Sequence, residues 1–283
     1  MRTYVVAGGT NGMGRGLALR FLHRGDHVTV VGSDPARGRR FLDEAAALGA
    51  ADRVAFLRAD LTSAAENVRV IKEIRARHDA LDGLVCTAIR AFSRRVETPD
   101  GYEATFALYY VSRFLLAYGL ADLLERGQNP MIVNICGVGV TKGRIHWDDL
   151  SLTRSYGSVK AMLQGGRATD LLGVAYALNH PDARTRYLLH HPGFTDSGTD
   201  NLKQPAKTVI KLLARLAAQP VDKAIAPIVE LMDDPPGEGG LLAYDRRRPL
   251  ESSLPTLDPA TARRLYDLTS HLLPSDFRDS SSG

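Results

Sequence analysis

The feature that most constrains the fold is a regular alternation of short apolar runs and longer segments of helical periodicity over about the first 190 residues. The apolar runs have the length and composition of buried strands, and they lie at 3–7, 27–31, 53–58, 82–86, 131–135 and 186–190. The helical segments between them lie at 13–24, 36–48, 63–78, 101–126 and 154–179. Because strands separated by such helices join through right-handed crossovers, the pattern predicts a parallel sheet covered by helices on both faces.

The rest of the chain extends the same α/β pattern. Leu- and Ala-rich segments predict helices at 205–218 and 221–232, a short strand at 240–244 and a last helix at 259–272. We therefore predict a doubly wound parallel sheet of about seven strands, in one domain over 1–275. The polar residues 276–283 predict a disordered tail.

Composition excludes several classes of protein. The 36 Lys and Arg residues exceed the 32 Asp and Glu residues by only four, without a cluster long enough to indicate nucleic-acid binding. Two cysteines exclude a disulfide framework, and no metal-ligand spacing is visible. The sequence has neither an export signal nor a run of 18 apolar residues, so we expect a cytoplasmic protein without a membrane span.

A glycine-rich turn joins the first predicted strand to the first helix. In "VVAGGTNGMGRG", Gly8, Gly12 and Gly14 lie where the strand turns into the helix. Free backbone N–H groups and the positive end of the helix dipole then point at one place, which suits a pyrophosphate. Glycine also lets the backbone approach the ligand closely, so the turn predicts a dinucleotide site.

A Tyr–Lys pair gives the second landmark. Tyr156 and Lys160 have the spacing Y-x-x-x-K about 20 residues after "MIVNI", and "LLHHPGFTDSGT" follows them. Together with the turn, these motifs resemble the short-chain dehydrogenase/reductase family, and "RIHWDDL" is similar to its retinol-dehydrogenase-like branch. The resemblance implies a Rossmann-type fold, with Tyr156 and Lys160 as catalytic residues. On a helix, residues four apart share a face, so the ammonium would favour the phenolate and could hold the nicotinamide ribose.

The resemblance also implies where the cofactor binds. Gly32 stands where NAD-type members have Asp, which favours NADP(H) over NAD(H), and Ser33, Arg37 and Arg15 would hold the extra phosphate. Asp60 and Leu61 would border the adenine, although Asp60 could instead be a helix N-cap, a role that Thr62 and Ser63 could serve equally well. The implied cofactor contacts are Gly8, Thr10, Asn11, Gly12, Met13, Gly14, Ser33, Arg37, Asp60, Leu61, Ala88, Lys160, Pro192, Gly193 and Thr195.

Three positions depart from the family pattern. Gly137 stands in place of the substrate-binding serine, Tyr109 replaces the usual Asn, and "CTAI" at 86–89 replaces N-N-A-G with only Ala88 retained. Tyr109 is a third candidate catalytic residue, whose phenol could replace the missing hydroxyl, or else a core aromatic. Cys86 and Cys136 would end neighbouring strands, as part of the pocket or as small buried hydrophobes.

We therefore expect an NADP(H)-dependent oxidoreductase that acts on the carbonyl or alcohol group of a small, fairly apolar molecule. The apolar segment 205–218, within a substrate lid at about 194–235, motivates that substrate class. Gly137 keeps open a non-redox reaction such as isomerisation, dehydration or cyclisation. A nucleotide-sensing regulator is a third reading, disfavoured by the intact Tyr–Lys pair. By resemblance, the helices at 101–126 and 154–179 would pair in a homodimer or homotetramer.

Overall fold

A computed structural model describes residues 1–193, 220–237 and 240–272. The helix expected at 205–218, the substrate lid up to residue 219, Thr195 and the tail at 276–283 lie outside these residues. The described chain forms one eight-stranded sheet in the order β3-β2-β1-β4-β5-β6-β7-β8. Its strands are β1 (Thr3–Ala7), β2 (His27–Gly32), β3 (Val54–Arg58), β4 (Gly83–Cys86), β5 (Met131–Ile135), β6 (Arg186–His191), β7 (Leu241–Asp245) and β8 (Arg248–Pro249).

The first seven strands are parallel, and β8 alone pairs antiparallel, with β7. The predicted doubly wound parallel sheet of about seven strands is thus confirmed. The eighth strand was not predicted, because two residues carry no periodicity. The sheet order changes direction at β1, with β2 on one side and β4 on the other. Ligands bind at the carboxyl edge of such a switch point in open parallel sheets.

Helices cover both faces of the sheet. They are α1 (Gly12–His23), α2 (Pro35–Ala47), α3 (Ala64–Arg77), α4 (Ala104–Phe106), α5 (Ser112–Gly119), α6 (Ala121–Glu125), α7 (Ser158–Asn179), α8 (Val221–Asp233) and α9 (Pro259–Leu272). A π-helical turn, Ala107–Val111, joins α4 to α5. None of the helices in the described ranges is both long enough and apolar enough to cross a bilayer.

The core has two layers because side chains of a strand alternate between the faces of the sheet. In β1, Val5 and Ala7 pack into a cluster with residues of α3, α5, α7 and α9. Tyr4 and Val6 face the opposite way, into a cluster with residues of α1, α2 and α8. Both layers therefore fix β1, whose carboxyl end carries the glycine turn.

Two predicted helices have other bounds in the structure. The segment 101–126 is divided into α4, the π-helical turn, α5 and α6, and it begins only after Glu103, whose carboxylate accepts hydrogen bonds from the N–H groups of Thr105 and Phe106. The helix expected at 154–179 begins at Ser158. Gly157, with φ −154° and ψ 132°, is extended, so Tyr156 lies before the helix.

The cause of the late start of α7 is a turn upstream. The carboxylate of Asp149 accepts hydrogen bonds from the backbone N–H of Thr153 at 2.7 Å, from its hydroxyl at 2.8 Å and from the N–H of Arg154 at 3.1 Å. These bonds fix a turn that ends at Arg154, the residue where the sequence pattern predicted the helix to begin. They also lower the pKa of Asp149 to about 2, the Thr153 hydroxyl first among them.

Candidate active site

The glycine turn packs against the end of β4 so closely that side chains are excluded. Gly8 has φ +89°, and a Cβ there would lie 2.6 Å from the backbone nitrogen of Ala88. A Cβ on Gly14 would lie 2.4 Å from the carbonyl oxygen of Gly8. Asn11 is the N-cap of α1, yet its side chain makes no capping hydrogen bond. The amino end of α1 therefore keeps donors for an anion, and this cradle fits the pyrophosphate of a dinucleotide.

An arginine-lined cavity of about 180 Å³ lies beside the turn. It is bordered by Thr10, Asn11, Arg15, Arg37, Arg40, Phe41 and Glu44. Arg15 donates to Glu44 through Nε at 2.8 Å. Arg37 Nε lies 3.4 Å from a carboxylate oxygen of Asp34, and this carboxylate also caps α2 by accepting from the N–H groups of Ala36 and Arg37. Three guanidinium groups thus border the cavity, and those of Arg15 and Arg37 each pair with an acid.

The end of β2 has no acidic side chain at the family's NAD-selecting position. A Cβ on Gly32 would lie 2.8 Å from the Thr10 hydroxyl, so the turn itself fills this space. Ser33 follows and is exposed. Neither residue is among those that border the arginine-lined cavity, and the role of Ser33 in holding a phosphate stays a prediction.

The segment after β3 forms a turn rather than a helix cap at Asp60. The Asp60 carboxylate accepts hydrogen bonds from the N–H of Thr62 at 3.0 Å and from its hydroxyl at 2.8 Å. Ser63 is the N-cap of α3. Leu61 is 5% exposed and belongs to the core. Asp60 is exposed and can therefore contact a ligand, whereas Leu61 is buried.

Tyr156 and Lys160 are not on one helical face, contrary to the prediction, because Tyr156 precedes α7. The Tyr156 hydroxyl donates to the carbonyl of Phe92 at 2.7 Å. The Lys160 ammonium donates to the carbonyl of Ser155 at 3.0 Å and to its hydroxyl at 2.8 Å. Burial and the charge of Glu103 raise the pKa of Tyr156. The phenol is therefore neutral at pH 7 in this arrangement.

Tyr109 lies in the π-helical turn, and its ring packs against α7. A Cβ on Gly165 would lie 2.9 Å from the ring. Tyr109 is 8% exposed, and burial raises the pKa of its phenol, while the charge of Arg113 lowers it and that of Glu103 raises it. The charge of Glu103 raises the pKa of Tyr156 as well. π-Helical turns inside helices are frequent at functional sites.

The two cysteines close neighbouring strands, as predicted, and both are free thiols. Burial raises the pKa of Cys86 to about 11 and that of Cys136 well above its usual range. The Cys136 thiol lies 3.8 Å from a carboxylate oxygen of Asp170, a residue of α7 that also accepts from the N–H of Gly139 at 3.3 Å. The thiols therefore have the character of buried small hydrophobes rather than of reactive groups.

The loop after β6 contributes Pro192, which is buried, and Gly193, which has φ +78°. His190, directly before it, is fully buried, and its Nε2 lies 2.9 Å from the carbonyl oxygen of Arg246. Burial lowers the pKa of His190 to about 4. The side chain of His191 reaches the carbonyl of Cys136 at 3.3 Å. Both histidine side chains thus contact backbone carbonyl groups at the carboxyl edge of the sheet.

Two charged residues of the site were missed from sequence. Glu103 is fully buried and Arg113 is 3% exposed. A signal for Arg113 exists, since it is the single charged residue in the apolar run at 104–121. Glu103 begins that run, where an acidic N-cap is common.

Residues 2–165 match the family model described as short chain dehydrogenase. The chain belongs to the short-chain dehydrogenase family. It is therefore an oxidoreductase that acts on CH–OH or C=O groups, which favours the enzyme reading over the regulator. The family uses NAD or NADP, and the glycine cradle described above fits either dinucleotide.

Relatives and solved structures agree with this assignment. The chain is 31% identical over 275 residues to DnrU of Streptomyces sp. (strain C5), provisionally named a daunorubicin C-13 ketoreductase, covering 94% of this chain and 90% of the relative. It is 30% identical to a polyprenol dehydrogenase of Danio rerio, over 93% and 83% of the two chains. The RhlG/NADP complex of Pseudomonas aeruginosa has the same fold, with a TM-score of 0.65, 20% identity and coverage of 87% and 95%.

Proposed function

We propose that this oxidoreductase prefers NADP(H) and transfers hydride between the nicotinamide and the carbonyl or alcohol group of a small, fairly apolar molecule. The arginine-lined cavity is the observation that carries the cofactor preference. Arg15, Arg37 and Arg40 border about 180 Å³ beside the uncapped amino end of α1. Guanidinium groups bind phosphate through pairs of N–H donors, and no acid occupies the end of β2 to repel the 2′-phosphate.

In this proposal, the side chains of Tyr156, Lys160 and Tyr109 take part in the reaction. When bound, the reduced cofactor supplies the hydride. Tyr156 donates the proton from its hydroxyl to the substrate oxygen. Lys160, whose ammonium contacts Ser155 rather than the Tyr156 hydroxyl, holds the nicotinamide ribose. Tyr109 offers a second phenol as a hydrogen-bond donor to the same oxygen, in place of the serine that Gly137 lacks.

The test is ketone-dependent oxidation of NADPH, followed by the absorbance of the reduced nicotinamide. Tyr156→Phe removes the proton donor and is expected to abolish it. Tyr266→Phe is the matched control. The Tyr266 ring packs against Phe114 and Tyr118, and its hydroxyl is not part of the proposed site. Failure of the wild-type protein to bind either pyridine nucleotide would refute the proposal.

Gly137 supports a second candidate, a cofactor-dependent step without net oxidation or reduction. A Cβ at Gly137 would meet only the side chain of Val140, at 3.3 Å, so Gly137→Ser can restore the family's hydroxyl with little displacement. If the enzyme is a reductase, we expect the serine to raise its rate. Product formation with no net change in nicotinamide absorbance, before and after the change, would favour the second candidate instead.

We also propose a cytoplasmic homodimer or homotetramer formed through α7. Val159 is 70% exposed and Met162 is 39% exposed, one turn apart on that helix. Light scattering should show a higher mass for the wild type than for Val159→Glu. Leu48→Glu makes the same change at another exposed apolar residue and should leave the mass unaltered.

A further inference from the structure

Arg113 presents the least expected charge in the protein. It is 3% exposed, and within the described ranges it forms no ion pair. One terminal nitrogen, Nη2, contacts the carbonyl oxygens of Ala88 at 3.4 Å and Ile135 at 3.3 Å. The other two nitrogens, Nε and Nη1, are buried and find no hydrogen-bond partner among the residues that the structure describes. Because an unpaired buried cation is costly, such a residue calls for a role that its packing does not supply.

The two carbonyl groups locate this cation at the carboxyl edge of the sheet. Cys86 and Asn134 form the last pair between β4 and β5, and Ala88 and Ile135 lie just beyond that pair. The guanidinium therefore lies where the two strands separate. The backbone nitrogen of Ala88 is also the atom that a Cβ on Gly8 would approach, so the contact connects Arg113 to the dinucleotide cradle.

Arg113 is also in contact with Tyr109, one helical turn earlier. Its guanidinium carbon lies 5.7 Å from the centre of the Tyr109 ring. The backbone of α7 at Gly165 closes another side of the ring. Burial raises the pKa of the Tyr109 phenol, and the charge of Arg113 opposes that rise, which keeps the hydroxyl a stronger hydrogen-bond donor than burial alone would.

We propose that Arg113 is a positioning residue of the active site, which ties the ends of β4 and β5 together and orients and polarises the phenol of Tyr109. This inference rests on the proposed function, in which that phenol replaces the missing serine hydroxyl. Arg113 does not touch the substrate, and its effect on the rate passes through Tyr109. No bond is formed or broken at Arg113, so its contribution is electrostatic and geometric.

A double-mutant cycle tests the connection. Arg113→Met removes the charge at similar volume, Arg113→Lys keeps it, and Tyr109→Phe removes the hydroxyl. We expect Arg113→Met to lower kcat roughly tenfold or more, since loss of a whole donor costs about a hundredfold, with the Kd for NADPH unchanged. Lysine should recover most of kcat, and the Met and Phe changes combined should be no worse than the poorer single variant.

Arg186→Met is the matched control. Arg186 also has a buried Nε without a partner and donates to a backbone carbonyl, that of Gly237 at 2.8 Å, but it begins β6 at the opposite edge of the sheet. Its kcat should equal that of the wild type. If Arg113→Met does not fold, Arg113→Gln, which also removes the charge, takes its place in the same cycle.

Several results would overturn the inference. The first is a kcat of Arg113→Met equal to that of the wild type. The second is a double variant whose loss in kcat is the product of the two single losses, and the third is a kcat of Arg113→Lys as low as that of Arg113→Met. If the wild-type enzyme oxidises no NADPH with any ketone, the proposed function fails and the inference falls with it. If the wild type is active and the cycle is additive, the inference alone fails.

Discussion

Asp170 carries a buried carboxyl group whose replacement should stabilise the protein in a pH-dependent way. The side chain is 2% exposed. Burial raises its pKa from 3.8 to about 7, although the N–H of Gly139, the charge of Arg167 and the Cys136 thiol oppose that rise. Asp170→Asn keeps the shape of the side chain and removes the ionisation.

The magnitude follows from the two pKa values. A rise from 3.8 to about 7 corresponds to about 4 kcal/mol of destabilisation once the carboxylate is fully charged. Since the folded-state pKa is the higher one, the cost of charging is absent below about pH 4, grows as the pH rises, and is complete above about pH 7. The amide nitrogen that Asp170→Asn introduces cannot accept a hydrogen bond, so one donor loses its partner at about 1 kcal/mol. The variant should therefore be about 3 kcal/mol more stable at about pH 8.

The assay is a series of unfolding curves between about pH 5 and pH 8, followed by circular dichroism. The stability difference between Asp170→Asn and the wild type should grow by about 3 kcal/mol across this range, or roughly 6 °C in Tm. A cost from altered contacts does not depend on pH and cancels from this comparison. A difference that stays constant with pH would refute the assignment of a buried, raised carboxyl group.

Asp122→Asn is the control with the opposite sign. Although partial burial raises the pKa of Asp122, hydrogen bonds and charge from Arg75 and Arg126 lower it overall. Loss of that exposed ion pair should therefore destabilise the protein slightly at neutral pH, by less than about 1 kcal/mol. The difference from the wild type should disappear as the pH falls toward the carboxyl pKa.

Three further predictions concern the cofactor site and the thiols. Arg37→Ala combined with Arg40→Ala should raise KM for NADPH roughly tenfold with little effect on KM for NADH; equal losses for both in steady-state kinetics would argue against a phosphate site. Gly14→Ala should abolish nucleotide binding in a fluorescence titration, because its Cβ would lie 2.4 Å from a backbone oxygen of the turn; normal affinity would contradict the close packing. Cys86 and Cys136 should resist a thiol reagent in the native protein and react after unfolding, and labelling of the native state would show that the thiols are accessible.

The sheet and the glycine turn could be predicted because both depend on local periodicity. The central strands β1, β2, β4, β5 and β6 are largely buried and appear as apolar runs, and Gly8 and Gly14 occur at a fixed position after the first of them. The position of Tyr156 could not be predicted in this way. It depends on the extended backbone at Gly157 and on the turn that the Asp149 carboxylate forms upstream.

The charged groups of the site were harder to predict than its motifs. Arg113 stands out in an apolar run, but only the packing shows that its guanidinium is buried without an acid partner. Glu103 is far from Tyr156 in the sequence, so its effect on the pKa of that phenol arises only from the tertiary structure. Electrostatic relations of this kind depend on distances and burial, which a single sequence does not encode.

The antiparallel strand β8 limits how the sheet can be extended at one of its edges. It has two residues, Arg248 and Pro249, both exposed, and it covers part of β7. Proline has no N–H to offer an incoming strand, and an exposed arginine on an edge opposes pairing with a further strand. Addition of a strand from another molecule is therefore disfavoured at this edge of the sheet.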